Sequence, residues 1–129
     1  MSPILLIGVA LAGGFGAACR YVLDYAITQR GRHALPWGTW AVNVSGSLGL
    51  GLLVGLATRM SLPSDAMVII GGGFLGAYTT FSTWMYESLR LFEQNAWRAA
   101  AMNLFGSVIC GGLAAALGLA IVWTLAPPP

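Results

Sequence analysis

The stretch Gly76–Trp84, GAYTTFSTW, carries five hydroxyl side chains in nine residues and no charge, yet it lies inside an apolar segment. In GTWAVNVSGS, residues Thr39, Asn43 and Ser47 recur at intervals of four, so one helical face would carry all three. Asn103, Ser107 and Gly111 recur in the same way further on. Polar groups at membrane depth are costly and ordinarily face a bundle interior or a water-filled path. An Asn amide offers two N–H donors and an acceptor without formal charge. Such side chains can line a path for a polar solute, or they can simply bond helix to helix. The β-branched pair Thr79–Thr80 beside Gly76 suits an interrupted helix, whose freed carbonyls need a cavity or an ion. The alternative is an intact helix in which Thr hydroxyls bond back to carbonyls four residues earlier. Phe81 and Trp84 are three apart and share a face of any helix that follows. They suit a wall along a path, and equally ordinary packing.

Nothing here is arranged for catalysis. The chain has no paired carboxylates, no nucleophile–base pair and no phosphate loop, so it does not read as an enzyme. Cys19 and Cys110 fall within helical segments without a CxxC, and they read as small packing residues. His33, beside Pro36 in a connection, reads as a solvated side chain.

The elements that must position these residues follow from composition. Of 129 residues, 57% are hydrophobic and 8% charged, with mean hydropathy +0.78. A soluble domain carries about a quarter charged residues, so this is one integral membrane domain, residues 1–129. A span needs about 20 apolar residues, and the uncharged stretches provide four, at roughly 3–28, 36–59, 66–93 and 97–125. The first has no basic leader or cleavage site and reads as a span rather than a signal peptide. Asp65, after Pro63-Ser64, suits the start of the third helix. Pro127-Pro128-Pro129 cannot continue a helix and reads as a disordered tail.

Most of the 18 glycines fall within the spans. Gly51-x-x-x-Gly55 and Gly72-x-x-x-Gly76 have the spacing that lets membrane helices approach closely. Four helices leave little room for an enclosed pathway, so a homo-oligomer is expected. There is no Lys, and Arg30, Arg32, Arg90 and Arg98 fall near the first and third connections, opposite Arg59. Positive-inside counting therefore places those connections in the cytoplasm, by a margin of few charges that leaves room for both orientations. A net charge of +2 gives no reason to expect nucleic acid. Arg20 lies toward the far end of the first helix, where it can pair with Asp24 one turn on or give a vestibule a positive potential. Glu87 and Glu93 close the third span and are expected at or near water.

Three strings, GGFGAACRY, GTWAVNVSGS and GGGFLGAYTTFSTW, resemble in order and spacing the signatures of the Fluc fluoride channels, also called CrcB proteins. The resemblance runs along the whole chain. It implies an all-α fold with the third helix broken at mid-membrane, assembled as an antiparallel, dual-topology homodimer in the inner (plasma) membrane. It implies passive, selective export of cytoplasmic fluoride through two pores, which confers fluoride resistance. It also implies a structural sodium ion on the dimer axis, held by carbonyls that would be those of Gly76 and Thr79. The pore residues would be Asn43, Phe81 and Trp84, with hydroxyls from Thr39, Ser82 and Thr83, and with Asn103 and Ser107 on the fourth helix. Arg20 would lie at the vestibule. The chain departs from the usual pattern at Trp84, where Phe is common, and at Asn103, where Tyr is common. The competing readings are a proton-coupled exporter of the small multidrug-resistance kind, which needs a carboxylate at mid-membrane, and an assembly subunit that only packs.

Overall fold

Local signals set the helix ends. The Ser2 hydroxyl accepts from the Leu5 N–H at 3.2 Å and Pro3 occupies the first turn, which starts α1 (Pro3–Thr28). Helix α2 (Trp37–Met60) stops at Ser61, whose backbone is left-handed (φ 51°, ψ 50°). Pro63 then leads into the third span, Ser64–Glu93, with Asp65 in its first turn as expected. That span consists of α3 (64–78) and α4 (Phe81–Glu93), separated by two extended residues. Asn95, also left-handed (φ 59°), turns the chain into α5 (Trp97–Leu125); Asn tolerates that conformation. The computed structural model describes residues 2–29 and 35–126. The readings made for Arg30, Arg32, His33 and the proline tail lie outside the described residues.

Four spans are long and apolar enough to cross a membrane, in close agreement with the boundaries expected from charge spacing. The chain is a multi-pass membrane protein. Two stretches, Val68–Leu75 in α3 and Met102–Gly106 in α5, are wound more widely, with i→i+5 turns. Hydrophobicity carries no sign of these, because it does not distinguish a wide turn from a normal one.

The interior is built from backbone contacts more than from large side chains. Only Leu5, Val42, Leu53, Ala100 and Val122 form the buried hydrophobic set among the described residues. Instead, α2 lies along α5 and α1 lies along α3. A Cβ at Gly51 would run into the Ala115 carbonyl, and one at Gly16 would run into that of Phe74. Lipid is as apolar as Leu, so close approach and dispersion hold such helices together. Gly51-x-x-x-Gly55 thus packs as its spacing implied, with Gly55 against Val122. Gly72 and Gly76 behave otherwise. Gly72 has nothing within 4 Å, both residues are exposed, and this pair joins no helices within the subunit.

Gly51→Ala is expected to force α2 off α5 and to lower stability by about 1–3 kcal/mol. Gly14→Ala, at a position with nothing within 4 Å, is the control and should not lower it. Thermal unfolding in detergent checks both.

Candidate functional site

The site begins at the interruption. Thr79 (φ −78°, ψ 159°) and Thr80 (φ −142°, ψ 123°) are extended, and α4 restarts at Phe81. The Thr80 hydroxyl caps α4 by accepting from the Thr83 N–H at 3.3 Å. The Thr79 N–H and hydroxyl both donate to the Leu75 carbonyl at 3.0 Å. The helix therefore breaks, and the back-bond pictured for an intact helix forms at Thr79 on the edge of the break.

An extended residue at membrane depth leaves an N–H and a carbonyl without water to satisfy them. Asn43 supplies both partners for Thr80. Its Nδ2 donates to the Thr80 carbonyl at 3.0 Å, and its Oδ1 accepts from the Thr80 N–H at 2.8 Å. The amide acts as a substitute peptide unit from a neighbouring helix. Gly46, one turn on, makes room for the break, since a Cβ there would strike Thr79 Cγ2. Among the described residues, the carbonyls of Gly76 and Thr79 accept no hydrogen bond.

Two cavities flank the break. The larger, about 340 Å³, is lined by Asn43, Ser47, Gly76, Thr79, Phe81, Trp84 and Ser107 among others. The Phe81 and Trp84 rings meet edge to face, with centroids 5.4 Å apart and planes at 69°. The Ser107 hydroxyl is buried without a partner. The smaller cavity, about 170 Å³, is lined by Arg20, Asp24, Thr39, Thr80 and Thr83 among others. Thr80 borders both cavities, and its hydroxyl donates to Thr83 Oγ1 at 3.1 Å.

This uncharged, hydroxyl- and aromatic-lined interruption belongs to a chain with extensive relatives. A family model described as CrcB-like protein, Camphor Resistance (CrcB), matches residues 7–119. The chain belongs to the CrcB-like family. It is 45% identical over 119 residues to the fluoride-specific ion channel FluC 1 of Leifsonia xyli subsp. xyli, covering 92% of this chain and 87% of that one. It is 48% identical over 112 residues to FluC 2 of Mycolicibacterium paratuberculosis, covering 87% and 88%. To FluC 1 of Symbiobacterium thermophilum it is 48% identical over 121 residues, covering 92% and 96%. These relatives are named as channels, and this CrcB-like chain, like them, is not an enzyme.

The expected residues divide between the two cavities. Asn43, Phe81, Trp84 and Ser107 meet at the larger one, and Arg20, Thr39 and Thr83 at the smaller. Ser82 is exposed, with its hydroxyl 3.5 Å from that of Thr80. Asn103 faces neither cavity and is fully enclosed. Asp24 takes a hydrogen bond from Thr28 at 3.2 Å within α1; of the two readings made for Arg20, the ion pair with Asp24 is not formed among the described residues. Glu87 corrects the sequence reading most plainly. It is half-buried, its Oε1 accepts from Thr39 at 2.9 Å, and its buried Oε2 has no partner. Counting residues to the end of the span put it near water, whereas α4 turns this position toward α2.

Sequence reasoning also passed over Trp40 and Ser88, and named Thr80 only as part of the break. Ser88 lies one turn beyond Trp84, and that spacing was the available signal. Trp84 and Asn103, the two departures from the common pattern, are in direct contact.

Asn43→Asp keeps the acceptor for the Thr80 N–H but sets an oxygen against the Thr80 carbonyl. Stability is expected to fall by about 1–3 kcal/mol, while Ser47→Ala leaves it unchanged. Detergent melting curves of the two variants check this.

Proposed function

We propose that this chain is a passive, selective fluoride channel of the plasma membrane that exports cytoplasmic fluoride and confers resistance to it. One observation carries the reading: the unpartnered Ser107 hydroxyl, the Asn43 amide and the Phe81–Trp84 ring pair border one uncharged cavity beside a broken helix. The relatives named fluoride-specific ion channels support it. Fluoride is small and holds its water tightly. A pore must replace that shell, yet weakly enough that the ion leaves. Neutral donors meet both needs. Asn43 spends one N–H on Thr80 and keeps a second. Ser107, Ser82 and Thr83 each carry a hydroxyl proton. Ring edges are electropositive, so Phe81 can meet an anion without a full charge. Arg20 places a cation at the smaller cavity, beside Asp24 in the same lining.

The pathway is completed by an antiparallel, dual-topology homodimer with two pores. Support comes from the exposed Gly72 and Gly76, which join no helices within the subunit, and from the slender bias in positive charge. A structural sodium ion fits the break. The carbonyl oxygens of Gly76 and Thr79 are free of hydrogen bonds among the described residues. Hard cations take such oxygens. When bound, the ion supplies fixed positive charge between the two anion paths.

The exporter reading gains one observation, the half-buried Glu87 carboxylate. Flux measurements separate the two. From fluoride-loaded liposomes, release is expected only when a potassium ionophore compensates charge, with no comparable chloride release. No release above empty liposomes would sink the channel; ionophore-independent release driven by a pH gradient would favour the exporter. Phe81→Ile is expected to slow fluoride release by about tenfold or more, equivalent to about 1.4 kcal/mol on the barrier. Size-exclusion chromatography should show its assembly unchanged.

A further inference from the structure

Asn103 sits in the widened turn Met102–Gly106 of α5 with no exposure at all. Each of its polar atoms has a partner. Oδ1 accepts from Trp40 Nε1 at 2.8 Å, and Nδ2 donates to Ser88 Oγ at 2.8 Å and, at greater length, to the Trp84 carbonyl at 3.4 Å. Its main-chain carbonyl accepts from Trp84 Nε1 at 2.7 Å. Ser88 Oγ in turn donates to the Trp84 carbonyl at 2.7 Å. Gly106 lets the Trp40 ring lie against α5, because a Cβ there would come within 2.8 Å of Trp40 Cη2. The network spans α2, α4 and α5, and of its four residues only Trp84 borders the larger cavity.

The arrangement decides what Trp84 presents. An indole offers one N–H donor and an electropositive ring edge. Here the N–H is committed to the Asn103 carbonyl, so the cavity wall gains only carbon edge and ring surface. A free indole N–H would be an additional donor in a place where anions must bind and leave. It would hold them longer and would serve a larger anion as well as a small one.

We propose that Asn103 is a positioning residue: its buried side chain, bonded to Trp40, Ser88 and the Trp84 carbonyl, holds its own main-chain carbonyl against the Trp84 indole N–H, keeps that N–H out of the donor set and so sets discrimination between anions. Trp40 and Ser88 hold Asn103 in place. The effect on discrimination rests on the fluoride reading; the lock itself does not.

The test combines hydrogen exchange of the Trp84 indole N–H, identified by NMR through its loss in Trp84→Phe, with fluoride-to-chloride release ratios from liposomes. Asn103→Ala is expected to speed that exchange by about tenfold or more. Trp40→Phe, which borders neither cavity and removes a single bond to Asn103, should act in the same direction and covers the case in which Asn103→Ala fails to fold. The release ratio should fall in Asn103→Ala but stay level when the same change is made in the Trp84→Phe background. Unchanged indole exchange in both variants overturns the positioning role of the Asn103 side chain, since the main-chain carbonyl would then hold the indole without it. An equal fall in ratio in both backgrounds overturns the positioning role and makes Asn103 an ion contact. If the unmodified chain releases no fluoride, the fluoride reading fails, and indole exchange alone decides the lock.

Discussion

The fold turns on the exchange of hydrogen bonds between the Asn43 amide and the main chain of Thr80. A bilayer offers no water to an interrupted helix, so a break must be satisfied from within the protein. A primary amide carries a donor and an acceptor side by side, so one side chain can serve both the N–H and the carbonyl of a single extended residue. With it in place, two residues are held extended at membrane depth, α4 restarts under the Thr80 cap, and the carbonyls before the break stay unbonded. Without it, the N–H and carbonyl of Thr80 would be left for the helix to reclaim.

The rest of the packing makes that break possible. Helices that meet backbone to backbone leave no slack for a widened or interrupted segment, so glycine is placed where the chain deviates. Gly46 admits Thr79, and Gly106 admits Trp40 beside a wide turn. Elsewhere, as at Gly51 and Gly118, glycine brings α2 and α5 into direct contact. The large apolar side chains point outward, among them Ile4, Leu11, Phe15, Phe105 and Leu113. That arrangement suits a lipid surround and would be untenable in water.

Polar side chains on the inside serve two ends that look identical in a sequence. Asn43 and Asn103 are both amides on four-residue stripes. One borders a cavity and keeps a donor in reserve; the other is sealed, with every polar atom engaged. The hydroxyls differ in the same way. Thr39 is tied to Glu87, whereas Ser107 is buried and free. An ion can use only what the fold leaves unspent.

The residues alone determined the membrane class, the four spans to within about two positions, the polar faces and the neighbourhood of the interruption. All of these follow from local terms: charge spacing, helical period and the scarcity of polar groups in hydrocarbon. They also marked Trp84 and Asn103 as departures from a familiar pattern, without linking them. The tertiary structure decided which donors are occupied, because each partner comes from a remote helix. Thr80 lies 37 residues from Asn43, Glu87 lies 48 from Thr39, and Asn103 lies 19 from Trp84. Helical period fixes the face a side chain shares with its neighbours, but the turn of one helix against another fixes what that face meets. That is why Glu87 came inward, why Asn103 left the cavity, and why the Trp84 N–H is engaged.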